Sequence, residues 1–115
     1  MRNFNQVVME GRLVNELEIK YTNSDIMVAN FTVAINRSWK DSNGEKKEEV
    51  DYIEARVWNK LAERCVEYLA KGQLVRVIGE LRQQRWTTEA NEPRSKIVVN
   101  VNLIDWEYRE MNNNE

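Results

Sequence analysis

The sequence predicts a mainly β domain, a five-stranded Greek-key barrel with one helix between strands 3 and 4. Three observations predict it. Five stretches alternate apolar and polar residues at the period of a half-buried strand, and one stretch switches to the helical period. A chain of 115 residues suffices for a single domain around one core. The domain is expected to span residues 1–108, with a short polar C-terminal end over 109–115.

Residues 7–13 place Val7, Met9 and Leu13 on one face and Glu10 and Arg12 on the other. Gly11 lies on the apolar face, where a missing side chain marks a bulge or a close backbone approach. Tyr21-Thr22-Asn23-Ser24-Asp25 reads as a turn cluster. Residues 27–36 alternate again, with Ala29, Phe31, Val33 and Ile35 opposite Asn30, Thr32 and Asn36. The run from Lys40 to Lys47 contains Asn43-Gly44, a strong hairpin signal, but it is long for a tight turn and predicts a protruding loop. The third strand, 51–58, turns Ile53, Ala55 and Val57 one way and Tyr52, Glu54, Arg56 and Trp58 the other.

Over 59–71 the apolar stripe Leu61, Ala62, Cys65, Val66 and Leu69 is helical; Asn59 can cap its start and Gly72 can end it in the left-handed conformation. Residues 74–86 alternate, with Val75, Val77, Gly79 and Leu81 on one face and Arg76, Glu80, Arg82, Gln84 and Trp86 on the other. Thr87–Pro93 is a second polar loop and holds the only proline. The last strand, 96–104, lines up Ile97, Val99, Val101 and Leu103. Three strands, a helix and two strands is the order of the OB barrel, whose helix plugs one end; a generic α+β sandwich shares that order.

Composition narrows the chemistry. The chain has no histidine and one cysteine, so a nitrogen/sulfur metal site is not expected, nor is a cofactor. The commonest general acid/base is missing, and the 19 carboxylates form no paired acid motif, so no catalytic residue is expected. A single Cys65 forms no intrachain disulfide and suits a reducing cytoplasm. No apolar run approaches a membrane span, and the first six residues show no secretory signal. Net charge is −2, which argues against a uniformly basic surface, although Glu107, Glu110 and Glu115 lie beyond the last strand pattern.

The outward faces of strands three and four carry rings where a barrel normally shows Thr, Lys, Glu and Ser. Tyr52 and Trp58 lie on one and Trp86 on the other, with Arg56, Arg76 and Arg82 beside them. Every nucleobase offers a flat π-face, stacking on an aromatic tolerates any sequence, and arginine neutralises phosphate. The pattern therefore predicts a platform for unstacked bases. Each ring also has a plain structural reading: Trp58 under the helix start, Tyr52 in a subunit contact, Trp86 as packing at a strand end. Trp39 falls by parity on the apolar side, yet it ends its strand, where twist or a bulge re-aims side chains, and the pattern alone leaves it open. Trp106 packs on the barrel or on a neighbouring subunit. Lys40, Lys46 and Lys47 accompany Trp39 in the long loop, either closing over a strand of nucleic acid or forming a solvated tip.

Several segments carry a resemblance. They are Asn5-Gln6-Val7-Val8-Met9-Glu10-Gly11-Arg12-Leu13 and Val28-Ala29-Asn30-Phe31-Thr32-Val33-Ala34-Ile35-Asn36-Arg37-Ser38-Trp39 in the first half. Val57-Trp58-Asn59-Lys60-Leu61-Ala62-Glu63, Tyr68-Leu69-Ala70-Lys71-Gly72 and Gly79-Glu80-Leu81-Arg82 follow in the second. Together, over roughly residues 4–106, they resemble the bacterial single-stranded DNA-binding protein family, whose fold is the OB barrel. The resemblance implies base stacking by Trp39, Tyr52, Trp58 and Trp86. It places basic residues near the DNA path at Lys60, Lys71, Arg82 and Arg85. It also implies a homotetramer, with a dimer as the alternative, and a cytoplasmic, nucleoid-associated or phage-encoded protein of a bacterial host.

Two departures qualify it. Many members continue into a Gly/Pro/Gln-rich linker and an acidic tip that recruits replication and repair proteins; here the chain reaches Glu115 through Asn112-Asn113-Asn114, which puts recruitment of replication and recombination proteins in doubt. Glu54 stands on the face assigned to DNA and is expected to pair with Arg56 or a neighbour and to weaken binding locally. The function expected from all of this is sequence-tolerant binding and protection of single-stranded DNA in replication, recombination and repair. A protein-docking subunit of a primosome-like assembly and a carboxylate-dependent nuclease are the alternatives.

Overall fold

The computed structural model describes residues 3–106. Its elements run β1 (Val7–Leu13), β2 (Glu18–Tyr21), β3 (Met27–Lys40), β4 (Lys46–Trp58), α1 (Asn59–Tyr68), β5 (Leu74–Thr87) and β6 (Pro93–Trp106). β1, β3, β4, β6 and β5 close a five-stranded barrel. β1 pairs with β5 along its length and with β3 at Arg12↔Ala34 and Leu13↔Val33. On the far side β4 meets β6 in parallel at Ala55↔Val99 and Arg56↔Asn100. The helix lies between β4 and β5, the third and fourth barrel strands, as the order of patterns predicts. The fold is therefore the mainly β OB barrel.

The core follows the alternation. Phe31, Val33, Ala55, Val57, Val75, Val77 and Val99 are buried, and Ala62, Cys65 and Leu69 of the helical stripe close the barrel end. Cys65 has no exposed surface, and burial pushes its thiol up to about 11. Alkylation of the native protein at mildly alkaline pH is therefore expected to be slow, and fast once the chain is unfolded; equal rates would show that the helix does not stay docked. The sign for stability follows. The folded thiol holds its proton above the ordinary 9.0, so its contribution is complete below about pH 9 and is lost as pH rises towards about 11.

Several local expectations need correction. The turn cluster starts one residue late, because Tyr21 closes a short strand, β2, on the edge of β3. All four β2 residues are exposed, so no burial alternation announced them. The turn itself is Thr22–Asp25, where the Thr22 hydroxyl accepts from the Ser24 and Ile26 amides. The protruding loop is in fact a paired ribbon. The β3–β4 ladder runs out to Trp39↔Lys47 and Lys40↔Lys46, and only Asp41–Glu45 is turn. Asp41 Oδ1 accepts from the Asn43 and Glu45 amides, and Gly44 takes φ +81°.

The helix ends at Tyr68, before the predicted Leu69–Lys71. Asn59 opens it with φ +59°, a conformation asparagine tolerates, while Trp58 occupies the N-cap without a side-chain cap bond. Gly72, at φ +89°, turns the chain into β5 and donates its amide to Leu13 O instead of ending the helix. On β6 the register slips between Ile78↔Leu103 and Gly79↔Val101, leaving Asn102 as an extra residue. That bulge turns Leu103 outward and Ile104 inward, against the simple alternation. Leu81 and Ile97 are exposed because both lie where the β5–β6 ribbon leaves the barrel. The polar end over 109–115, with Glu107 and Tyr108, lies outside the described residues.

Candidate nucleic-acid interface

Past the barrel, β3 and β4 continue as one two-stranded ribbon and β5 and β6 as another, because both ladders stay in register to their turns. Between the ribbons, the outward faces of β4, β6 and β5 form one surface. Tyr52 is 64% exposed, Trp58 36% and Trp86 43%, so none of the three rings is core. The Trp58 indole donates to Asn100 Oδ1 at 2.8 Å, which fixes its plane across the β4–β6 seam. Arg56 donates to Asn30 Oδ1 at 3.0 Å and lays its guanidinium 5.9 Å from the centre of the Trp58 ring. Arg56, Trp58, Arg82, Val98 and Asn100 line an open groove of about 520 Å³.

Trp39, left open by parity, is 41% exposed on its ribbon. Beyond Ile35 the strand has left the barrel and both of its faces meet solvent, so parity loses its meaning there. The Arg37 guanidinium lies 5.1 Å from the Trp39 ring centre and is anchored by Glu49 and by Asp51 at 3.0 Å. The Asp51 hydrogen bond and charge, then Glu49, raise the Arg37 pKa further above its ordinary value. Lys47 stands opposite Trp39 and pairs with Glu45 and Asp41; Lys46 pairs with Glu48; Lys40 is exposed at the ribbon's end.

The other basic candidates separate. Arg82 is exposed in the groove and paired with Glu80. Lys60 follows Trp58 on the first helical turn, exposed, and Lys71 is exposed in the turn before β5. Arg85, with Trp86 and Arg94, lines a groove on the β5–β6 ribbon and donates to Gln83. Arg76 is not brought to this surface. It pairs with Glu10 of β1 at 2.9 Å and shares a groove with Leu74, Asp105 and Trp106. Trp106 also stacks on Tyr68 at 6.0 Å and packs against the core, so it is a structural ring of the barrel.

Sequence reasoning missed Lys96, Asn100, Asn30 and Arg37. Lys96 and Asn100 were findable, since they alternate in sequence with Ile97, Val99 and Val101. Glu54 pairs with one of these residues, Lys96, at 2.7 Å, while its same-strand neighbour Arg56 turns to Asn30. Among the described residues, no three His, Cys, Asp or Glu side chains group as a metal site, and no helix is long and apolar enough to cross a membrane.

Comparison with known proteins agrees with this architecture. The model of the single-strand binding protein family matches residues 4–107. A single-stranded DNA-binding protein of Treponema pallidum is 41% identical over 107 residues, covering 90% of this chain and 60% of that protein. One from Halalkalibacterium halodurans is 40% identical over 97 residues, covering 84% of this chain and 55% of the relative. The chain thus spans little more than half the length of these relatives. Among solved structures, a Plasmodium falciparum SSB complex with ssDNA superposes with a TM-score of 0.81 at 28% identity, covering 96% of this chain and 98% of that one. A deletion mutant of the single-stranded DNA binding protein from Thermus aquaticus gives the same TM-score over 91% of this chain and 51% of that one. With the family model matching from three residues before β1 to one residue past β6, and curated members sharing two residues in five, this chain belongs to the single-strand binding protein family.

Proposed function

We propose that this protein binds single-stranded DNA with little sequence preference and shields it during replication, recombination and repair. The observation that carries the reading is the half-exposed set Tyr52, Trp58 and Trp86 on one outward surface with Arg56, Arg82 and Lys96. Exposed tryptophan is uncommon, and here Trp58 and Trp86 border open grooves lined by arginines, with Tyr52 exposed on the same face of β4 as Trp58. Bases stack on the rings, and the arginines and lysines take the phosphates, so affinity is sequence-tolerant and salt-dependent. Trp39 and the lysines of its ribbon extend the path. In this reading the role is a non-catalytic one, in the cytoplasm of a bacterial host.

Self-association, as a tetramer or dimer, belongs to the same proposal. Val8, Ile78 and Leu103 stand directly opposite one another across β1, β5 and β6, with Val8 64% and Leu103 53% exposed. An apolar row of this kind is covered when copies associate.

Oligo-dT is expected to quench most of the tryptophan emission at low salt, with affinity falling as salt rises, while duplex DNA of equal length quenches little. Emission unchanged by oligo-dT at low salt would remove the basis of the proposal. Solution mass of the free protein tests the association separately.

A further inference from the structure

We propose that Glu54 acts as an internal stand-in for a DNA phosphate, holding Lys96 in reserve so that the protein's own carboxylate competes with the incoming strand. The inference rests on the single-strand reading above. Along β4 the outward residues are Tyr52, Glu54, Arg56 and Trp58, so an acid sits between two rings offered to bases. The parallel pairing of β4 with β6 brings Lys96 alongside. Its ammonium lies 2.7 Å from Glu54 Oε1 and 5.9 Å from the centre of the Trp86 ring. Glu54, Arg56, Gln84 and Lys96 line one groove of about 420 Å³. The cation is thus shared between a carboxylate and the face of a candidate stacking ring.

A nucleotide whose base stacks on Trp86 brings its phosphate within reach of that same ammonium. Phosphate and carboxylate carry like charge and accept from the same donor, so one can replace the other. The exchange is open because the Lys96 and Glu54 side chains are 43% and 51% exposed, and an ion pair in water is weakly held. Arg37 beside Trp39 differs. It is gripped by both Asp51 and Glu49, so giving up one partner leaves the other, and it serves to fix its ring. Glu16 and Glu18 also line the groove, but among the described residues Glu54 is the carboxylate paired with Lys96, so Lys96 is the cation free to change hands. Each binding event then frees a carboxylate as it engages a phosphate, which offsets part of the salt-dependent gain.

The test is a set of oligo-dT quenching titrations over a range of salt on the wild type, E54Q, K96M and the double variant. The Glu54→Gln change keeps the side-chain shape on an exposed strand position, and circular dichroism verifies the fold of each protein. E54Q is expected to bind about two- to five-fold more tightly at low salt, the range an exposed ion pair accounts for. Its log affinity against log salt should steepen by no more than about 0.7, the slope of one phosphate contact on a single strand, because the wild type must first break an ion pair that salt weakens. K96M should bind more weakly, and E54Q should add nothing in the K96M background. An unchanged or weaker E54Q, or a gain that persists in full without Lys96, overturns the inference while leaving the binding reading intact. Absence of quenching in all four proteins would instead overturn the binding reading, and the inference with it.

Discussion

Replacing Gly79 with alanine is expected to destabilise the domain by about 3 kcal/mol or more, at or beyond the upper end for an overpacked core position. A Cβ at this position would stand 2.2 Å from Asn100 O and 2.9 Å from its carbonyl carbon, both backbone atoms of the neighbouring strand. Backbone in the middle of a ladder has nowhere to move. The register of the β5–β6 ladder slips beside this close approach, at Ile78/Gly79. A small domain has a total margin in the region of 5–15 kcal/mol, so a loss of this size shifts the urea midpoint sharply and populates the unfolded state. The comparison is Gly44→Ala. Gly44 has open space around its missing Cβ and only its φ of +81° to satisfy, which costs about 1–2 kcal/mol. Equal midpoints for the two variants would show that the β5–β6 contact relaxes freely.

That contact also marks where the sequence stops being readable. The apolar face of β5 announced Gly79 by alternation, but nothing in β6 announced that Asn102 would be skipped. From Val99 to Val101 the alternation is correct, before it Ile97 is exposed and Val98 buried, and beyond it Leu103 and Ile104 exchange sides. Period-two reasoning assumes an unbroken pleat, and one inserted residue inverts all that follows. The ribbons fail differently. From Asn36 to Val50 no residue is fully buried, so there is no inside for a pattern to record, although the backbone pairing continues without a break. Short exposed β2 escaped for the same reason. The helix stripe, the order of elements and the outward rings of β4 were legible because each lies where one face meets the core, and Trp86 was legible because it carries the outward parity of β5 on into the ribbon. Arg76 shows the limit of face assignment: it shares the outward side of β5 with Arg82 and Trp86, yet its cross-strand neighbours are Glu10 and Asp105, at the other end of the strand. A face is visible in one strand's sequence; which neighbour borders it is a property of the topology.

The same distinction separates the tryptophans by consequence. Trp86→Ala is expected to weaken binding to oligo-dT by about 1–3 kcal/mol, the contribution of one base stacked on an aromatic ring, and to leave the unfolding midpoint almost unchanged. Trp86 sits on the free ribbon, 43% exposed, with a lysine over its ring and none of the buried core against it. Trp58→Ala should lose binding on the same scale with a modest loss of stability, because Asn100 forfeits the indole N–H it accepts at 2.8 Å. Trp106→Ala should show the reverse. Its ring packs on the core and stacks on Tyr68, with Arg64 5.6 Å from its centre, so its removal opens the barrel end. Deleting a well-packed tryptophan costs up to about 3–5 kcal/mol, and a partly buried one somewhat less. Its emission should also be the part that saturating oligo-dT leaves unquenched. Unfolding midpoints and quenching titrations on the three variants separate the two roles. If Trp86→Ala unfolds the domain while Trp106→Ala abolishes binding on an intact fold, the strand lies over the groove beside Arg76, and the surface assigned here is the wrong side of the barrel.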